Sequence, residues 1–249
     1  MPQYIIPFKL DKNAAKDALR KHLRDKKLLP KIFSAENHLD EVKGIYVPFW
    51  VFDITTDSQA TYRGEKIRTW SDGDYNYTET SDYDIQRKGT ERFVNVPADG
   101  DRKMEDDLME SLETFNFSDA VPFDPAYFSG YFADIYDVSE EECLSRVKNR
   151  VIHSAQQALS ETVTGYGAIH VVSSNTILKD SKRKYVMYPV WILNTTWRGK
   201  QYRFAMNGQT GKFVGDLPID PFIYWKWRLL YALGISSVLY AAMAFLGFL

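Results

Sequence analysis

The chain has 249 residues, 26% charged and 45% hydrophobic, with a net charge of -2. That is enough for one large core or two modest ones, and the near-zero net charge excludes binding of nucleic acid by overall electrostatics. A single cysteine, Cys143, excludes a disulfide framework and any cysteine-based zinc site made by this chain alone.

The first residues, MPQYIIPFKLDKN, hold too short an apolar run for a signal peptide. Residues 11–24 read as a helix, with Asp11 as N-cap and Ala14, Ala15, Ala18, Leu19 and Leu23 at helical spacing. Over 1–31 basic residues outnumber acidic ones nine to three. A solvated helix face explains that simply; contact with anionic lipid headgroups is the functional alternative. Residues 44–97 read as antiparallel strands: GIYVPFWVFDI first, a turn at SDGD, and a second turn at Arg87-Lys88-Gly89. Asp72, Asp74 and Asn76 have calcium-loop spacing, but Tyr77 and Tyr83 stand where the loop's glycine and bidentate glutamate belong.

Residues 99–119 are acidic, yet Met104, Leu108, Met109, Leu112 and Phe115 can share one helical face. DPAYFSGYFADIYD (124–137) predicts another helix, capped by Asp124 with Pro125 at its first position and a core stripe of Tyr127, Phe128, Tyr131, Phe132 and Ile135. Ser139 and Glu142 make a capping box for a long helix near 140–164. Its inner face is read as Leu144, Val147, Val151, Ala155, Ala158 and Leu159, ending at Gly165. The strands YGAIHVV, KYVMYPVWILNTTW, QYRFAM and KFVGD follow, with hairpin turns at Arg198-Gly199 and Asn207-Gly208. Last come 21 uncharged residues, 229–249, about 31 Å as a helix and so long enough to cross a bilayer. Tyr224, Trp225, Lys226, Trp227 and Arg228 precede them as a membrane-interface anchor, and the basic flank predicts a cytoplasmic N-terminal body.

YVPFWVFD (46–53) has an echo in MYPVWILN (187–194). Pro48 aligns with Pro189, Trp50 with Trp191 and Asp53 with Asn194. TYRGEK (61–66) then meets TWRGKQ (196–201), each read as an R-G hairpin, and IIPFKLD (5–11) resembles AVPFDPA (120–126). The pattern predicts duplication of one α+β unit, over 1–119 and 120–220, with the anchor at 221–249. The two prolines should mark strand starts or bulges, and the two tryptophans should be core anchors. Chemistry is harder to find. His22, His38, His153 and His170 lack metal-ligand spacing, glutamates surround Cys143, and GQTGK (208–212) lacks the frame of a phosphate loop. No catalytic residues and no metal ligands are singled out.

IPFKLDK, LLPKIF, GIYVPFWVFD, RTWSDGDYNYTET, DLMESLE, MYPVWILNT and FAMNGQTGKFVGDLP together resemble a family of membrane-anchored TFIIB-type zinc-ribbon domain-containing proteins of Gram-positive bacteria. Members of that family carry a CxxC…CxxC ribbon ahead of the I-P-F segment. This chain starts almost where the ribbon would end, so the resemblance carries over no zinc, and no cofactor is expected within the chain. Some members are similar to partners of phage-shock-type membrane-stress proteins, which implies scaffold or recruitment work. Others carry a replication-helicase label, for which this chain has no nucleotide-binding loop. The expectation is an α+β, single-pass membrane protein with a cytoplasmic binding or scaffold body and a protein partner, and no role in nucleic-acid binding. The alternatives are a membrane-proximal enzyme using carboxylates that the sequence does not single out and, last, nucleic-acid binding through the basic N-terminal helix.

Overall fold

The computed structural model of the chain describes residues 1–34, 41–104 and 106–245. His38 and the last four residues of the apolar tail lie outside them. The fold is mixed α+β. Among the described residues there are four α-helices: α1 (Lys12–Arg24), α2 (Asp106–Leu112), α3 (Glu140–Glu161) and α4 (Pro221–Phe245). One eight-stranded sheet contains β1 (Tyr4–Ile5), β2 (Lys43–Asp72), β3 (Tyr75–Asp99), β4 (Val121–Pro122), β5 (Phe132–Ala133), β6 (Ala168–Trp197), β7 (Lys200–Asn207) and β8 (Phe213–Gly215).

Two 30-residue strands, β2 and β6, form the centre and run antiparallel. Their alternation assigns the faces. Val47, Phe49, Val51, Val186, Tyr188 and Val190 point to one side, where Met109 and Leu112 of α2 cover them. Phe52 and Ile54 point to the other side, under α3, and Trp191 and Leu193 do so under α1.

The arrangement around Val47 and Tyr188, which face each other, is the same in both directions. Tyr46 faces Pro189 and Pro48 faces Met187. Outside β2, β5 pairs in parallel with Ile45 and Tyr46; outside β6, β1 pairs in parallel with Val186 and Met187. β3 then takes over opposite Phe49, and β7 opposite Val190. Gly100 N–H donates to the Pro48 carbonyl and Gly208 N–H to the Pro189 carbonyl, both at 2.9 Å. The Gly100 carbonyl accepts from Asp137 and Val138; the Gly208 carbonyl accepts from Lys9 and Leu10. Trp50 Nε1 donates to the Val138 carbonyl at 3.3 Å, and Trp191 Nε1 to that of Leu10 at 3.1 Å. The next residue in each case, Ser139 or Asp11, is the N-cap of α3 or α1. Ala15, Leu19 and Leu23 are buried along α1 as Cys143, Val147 and Val151 are along α3.

The prolines are therefore neither strand starts nor bulges, as the sequence led us to expect. A strand residue points its N–H and C=O to the same side. At Pro48 that side is the gap where β5 ends and β3 begins, and at Pro189 it is the gap between β1 and β7. No ladder donor is needed in either gap, so proline costs nothing there. The register shift lies further on, between Phe52 and Ile54.

Other local expectations are corrected. β3 runs straight through Arg87-Lys88-Gly89, with Gly89 paired to Ser58. YGAIHVV and KYVMYPVWILNTTW are one strand, β6. Arg63-Gly64 is not a hairpin: Gly64 lies within β2, where an added Cβ would come 2.7 Å from Ile85 and Tyr166. The counterpart of residues 4–11 is 132–139 rather than 120–126, whose β4 pairs with β1 itself. Residues 125–128 make only a 3-10 turn, after which Gly130 (φ +83) turns the chain toward β5. Of the expected aromatic stripe, Phe128 and Tyr131 pack against Tyr46, while Phe132 and Ile135 are exposed. Arg198-Gly199 is a tight turn with both φ positive, but Asn207-Gly208 is not. There the Asn207 side chain caps Gln209 and Thr210, and the left-handed residue is Gly211.

An added Cβ at Gly208 would fall 2.6 Å from Phe8 and 2.9 Å from the Pro189 carbonyl; at Gly100 the closest approach is 3.1 Å. Gly208→Ala is expected to destabilise the protein by about 1–3 kcal/mol, and Gly100→Ala by less. Urea unfolding in detergent checks the order; equal costs would contradict it.

Candidate functional site

A cleft of about 650 Å³ opens across β5, β2, β6 and β7 and is lined by both halves of the chain. Its polar lining comprises Glu41, Lys43, Asp101, Lys103, Asp134, Asn194 and Arg203, and its apolar wall includes Ile45, Met104, Phe132 and Ile192. The loop after β3 supplies Asp101. Asp99 Oδ1 accepts from Asp101 N–H at 3.0 Å, and Asp101 Oδ1 accepts from Lys103 N–H at 2.8 Å. The loop after β5 supplies Asp134, whose Oδ1 takes Lys103 Nζ at 2.7 Å and Ile135 N–H at 3.1 Å. Arg203 on β7 closes the side, donating to the Lys103 carbonyl at 2.7 Å and to Asn194 Oδ1 at 3.2 Å.

Asp101 is 1% exposed, and among the described residues its Oδ2 takes no hydrogen bond from an N–H or O–H. Burial, with the nearby charges of Asp134 and Asp137, pushes its carboxyl above the ordinary value, although the Lys103 N–H opposes this. Burial also acts to raise Asp134. There the Lys103 ammonium, the Ile135 N–H and a hydrogen bond from Asp101 outweigh it and hold the carboxyl below the ordinary value. The two carboxyls are thus pushed apart, Asp101 upward and Asp134 downward. Carboxyls with values pushed apart are the arrangement used for proton transfer.

The residues singled out from sequence lie elsewhere. Pro48, Trp50, Pro189 and Trp191 build the centre of the sheet. Trp191 is buried and Trp50 half-buried, so they act as packing anchors. Tyr224, Trp225, Lys226, Trp227 and Arg228 occupy the first turns of α4, which has no buried residue and is long and apolar enough to cross a membrane. Cys143 is buried with its thiol pushed up, first by burial, and its Sγ lies 3.2 Å from the Asp99 carbonyl. His22 lies against Phe213, and His153 and His170 are exposed. Among the described residues no three His, Cys, Asp or Glu side chains come together to hold a metal.

Sequence reasoning missed Asp101 and Asp134. The usable signal was Asp99-Gly100-Asp101, which repeats the frame of Asn207-Gly208-Gln209 at the end of the other hairpin.

A second feature is the β2–β3 hairpin. β6 accompanies β2 only as far as Glu65, and beyond it the hairpin continues as two strands to its turn at Gly73. This tip exposes Ile67, Trp70, Tyr75 and Tyr77. Trp70 and Tyr77 stack at 5.5 Å, with Arg68 over the Trp70 ring.

An uncharacterized protein of Bacillus subtilis (strain 168), YdjG, is similar to this chain, with 32% identity over 219 residues. The match covers 88% of this chain and 64% of that protein, so the chain spans less than two thirds of its relative's length. No family model matches, and no solved structure matches.

The folded state holds the Asp101 proton to higher pH than the unfolded chain does. This group's contribution to stability is therefore full at low pH and is lost as pH rises through its folded value. Asp134 runs the other way: its contribution is lost as pH falls through its lowered folded value. Asp101→Asn keeps an acceptor for Lys103 and a donor for Asp134 without a buried charge. It is expected to stabilise the protein by about 1–3 kcal/mol at neutral pH, the gain shrinking toward pH 4. Denaturant unfolding at several pH values measures this; a variant no more stable at pH 7.5 would refute the raised Asp101 carboxyl.

Proposed function

We propose that the chain is a single-pass membrane protein whose folded body, on the cytoplasmic side, binds another protein through the β2–β3 hairpin. The observation that carries this reading is the tip beyond Glu65, a two-stranded projection bearing four exposed large apolar side chains that β6 does not cover. Aromatic rings, with arginine beside them, are the side chains that most often anchor protein interfaces. β3 pairs only with β2 among the described residues, so its outer edge can accept a partner strand. An apolar α4 with no buried residue supports the anchor, and Lys226 and Arg228 support the cytoplasmic side. The resemblance to membrane-anchored TFIIB-type zinc-ribbon proteins points to a membrane-stress partner. The matching hydrogen bonds around Val47 and Tyr188 support an origin by duplication.

A second reading, an enzyme acting near the membrane, is favoured by one observation: the Asp101–Asp134 pair in its cleft. It requires a small molecule to perturb those two carboxyls specifically.

Replacing residues 68–79 with Asn-Gly shortens the hairpin between Ile67 and Thr80, which already face each other. Photo-crosslinking in native membranes from a probe at Trp70 is expected to trap a reproducible protein partner, and co-purification of that partner should fail with the shortened hairpin. Recovery of no partner, or of the same partner by both forms, would refute the hairpin as the binding surface.

A further inference from the structure

We propose that the end of α1, the turn after it and the start of α4 form one basic collar that binds the phosphate-bearing headgroups of anionic lipids. This rests on the membrane reading of α4 above. The two segments are far apart in sequence, and the fold joins them. Asp220 N–H donates to the Leu28 carbonyl at 2.8 Å, and Lys27 Nζ lies 5.8 Å from the centre of the Trp227 ring. Asp220 also caps α4 by accepting from Phe222 N–H at 2.9 Å. The turn after α1 is thus fixed against the turns of α4 that carry Tyr224, Trp225 and Trp227, rings that settle at headgroup level.

Six exposed cations gather here: Lys21, Arg24, Lys26, Lys27, Lys226 and Arg228. Asp25 faces Arg24 at 3.9 Å, and Asp220 is used as the helix cap. Burial and the Lys26 charge lower the pKa of His22, which adds no charge at neutral pH. A simpler explanation is that cations at a helix C-terminus favour its dipole. It accounts for Lys21 and Arg24 but not for Lys26 and Lys27, which lie beyond the helix, nor for the α4 pair. Beside the collar runs a shallow groove of about 620 Å³, with Ala14, Ala18 and Phe213 in its lining and Lys21 and Lys26 alongside. Clustered basic side chains beside a membrane-spanning helix attract anionic headgroups, an attraction that salt weakens.

The test uses the full chain reconstituted in vesicles, with a fluorophore on Thr210→Cys, an exposed position in the same groove; the native Cys143 is buried. Quenching by a nitroxide-headgroup lipid reads headgroup contact. It is expected to be at least about twofold stronger with one third phosphatidylglycerol than with phosphatidylcholine alone. It should fall to the phosphatidylcholine level at about 1 M salt and in the quadruple Gln variant of Lys21, Arg24, Lys26 and Lys27. Quenching that ignores lipid charge in a chain resisting alkaline carbonate overturns the collar but keeps the anchor. Extraction of the chain by carbonate overturns both. If duplex DNA displaces the labelled face from anionic vesicles at low salt, the patch is a nucleic-acid site and the lipid assignment falls.

Discussion

The antiparallel pairing of β2 with β6 about Val47 and Tyr188 is the constraint on which the rest of the molecule depends. It sets the outer edge of each long strand, and each edge is used the same way. A short parallel strand comes first, then a gap where the central strand needs to donate no N–H, then a long antiparallel partner. Proline fits that gap and few other places in a central strand. The glycine that follows each outer strand lets a carbonyl approach closely. Its own carbonyl then holds the two residues leading into the helix cap, and the helices dock where those residues aim them.

This frame also positions the less regular parts. α2 closes the opposite face, so the central strands are covered on both sides and read as continuous apolar runs rather than alternating ones. The loops leaving β3 and β5 meet at the rim of the sheet and bring Asp101 to Asp134 there. The hairpin, by contrast, outruns its support. α3 packs against Ala60, Tyr62 and Ile85, and past Glu65 nothing in β6 follows. The buried carboxyl pair and the exposed aromatic tip therefore occupy different parts of one sheet.

Much of this was legible from residue types. Asp11, Ser139 and Asp124 cap as read, because a side-chain oxygen before an orphan N–H is a local matter. The echo of Pro48-x-Trp50 in Pro189-x-Trp191 marked two related strands, but not that they pair with each other at the centre of the sheet. What could not be read was set by distant pairing. Gly89 and Gly64 look like turn residues, yet each lies flat in a strand. Gly64 is there because Tyr166 and Ile85 leave no room for a side chain. Residues 125–128 have a proper helix start, but parallel pairing with β2 captures the chain a few residues later. Asp134 looks like any surface aspartate until the fold places Asp101 and Lys103 beside it.

The distance along the chain between the two central strands has a kinetic consequence. Val47 and Tyr188 are separated by over a hundred residues, so β2 and β3 can close as a hairpin long before β6 exists. Until β6 arrives, the inner edge of β2 is an open row of backbone donors and acceptors on an aromatic strand. Loop closure over that length is slow, and such edges are what misassembling chains join. Folding of this protein is therefore governed by the synthesis of its second half, and its period of greatest aggregation risk ends only when β6 pairs with β2.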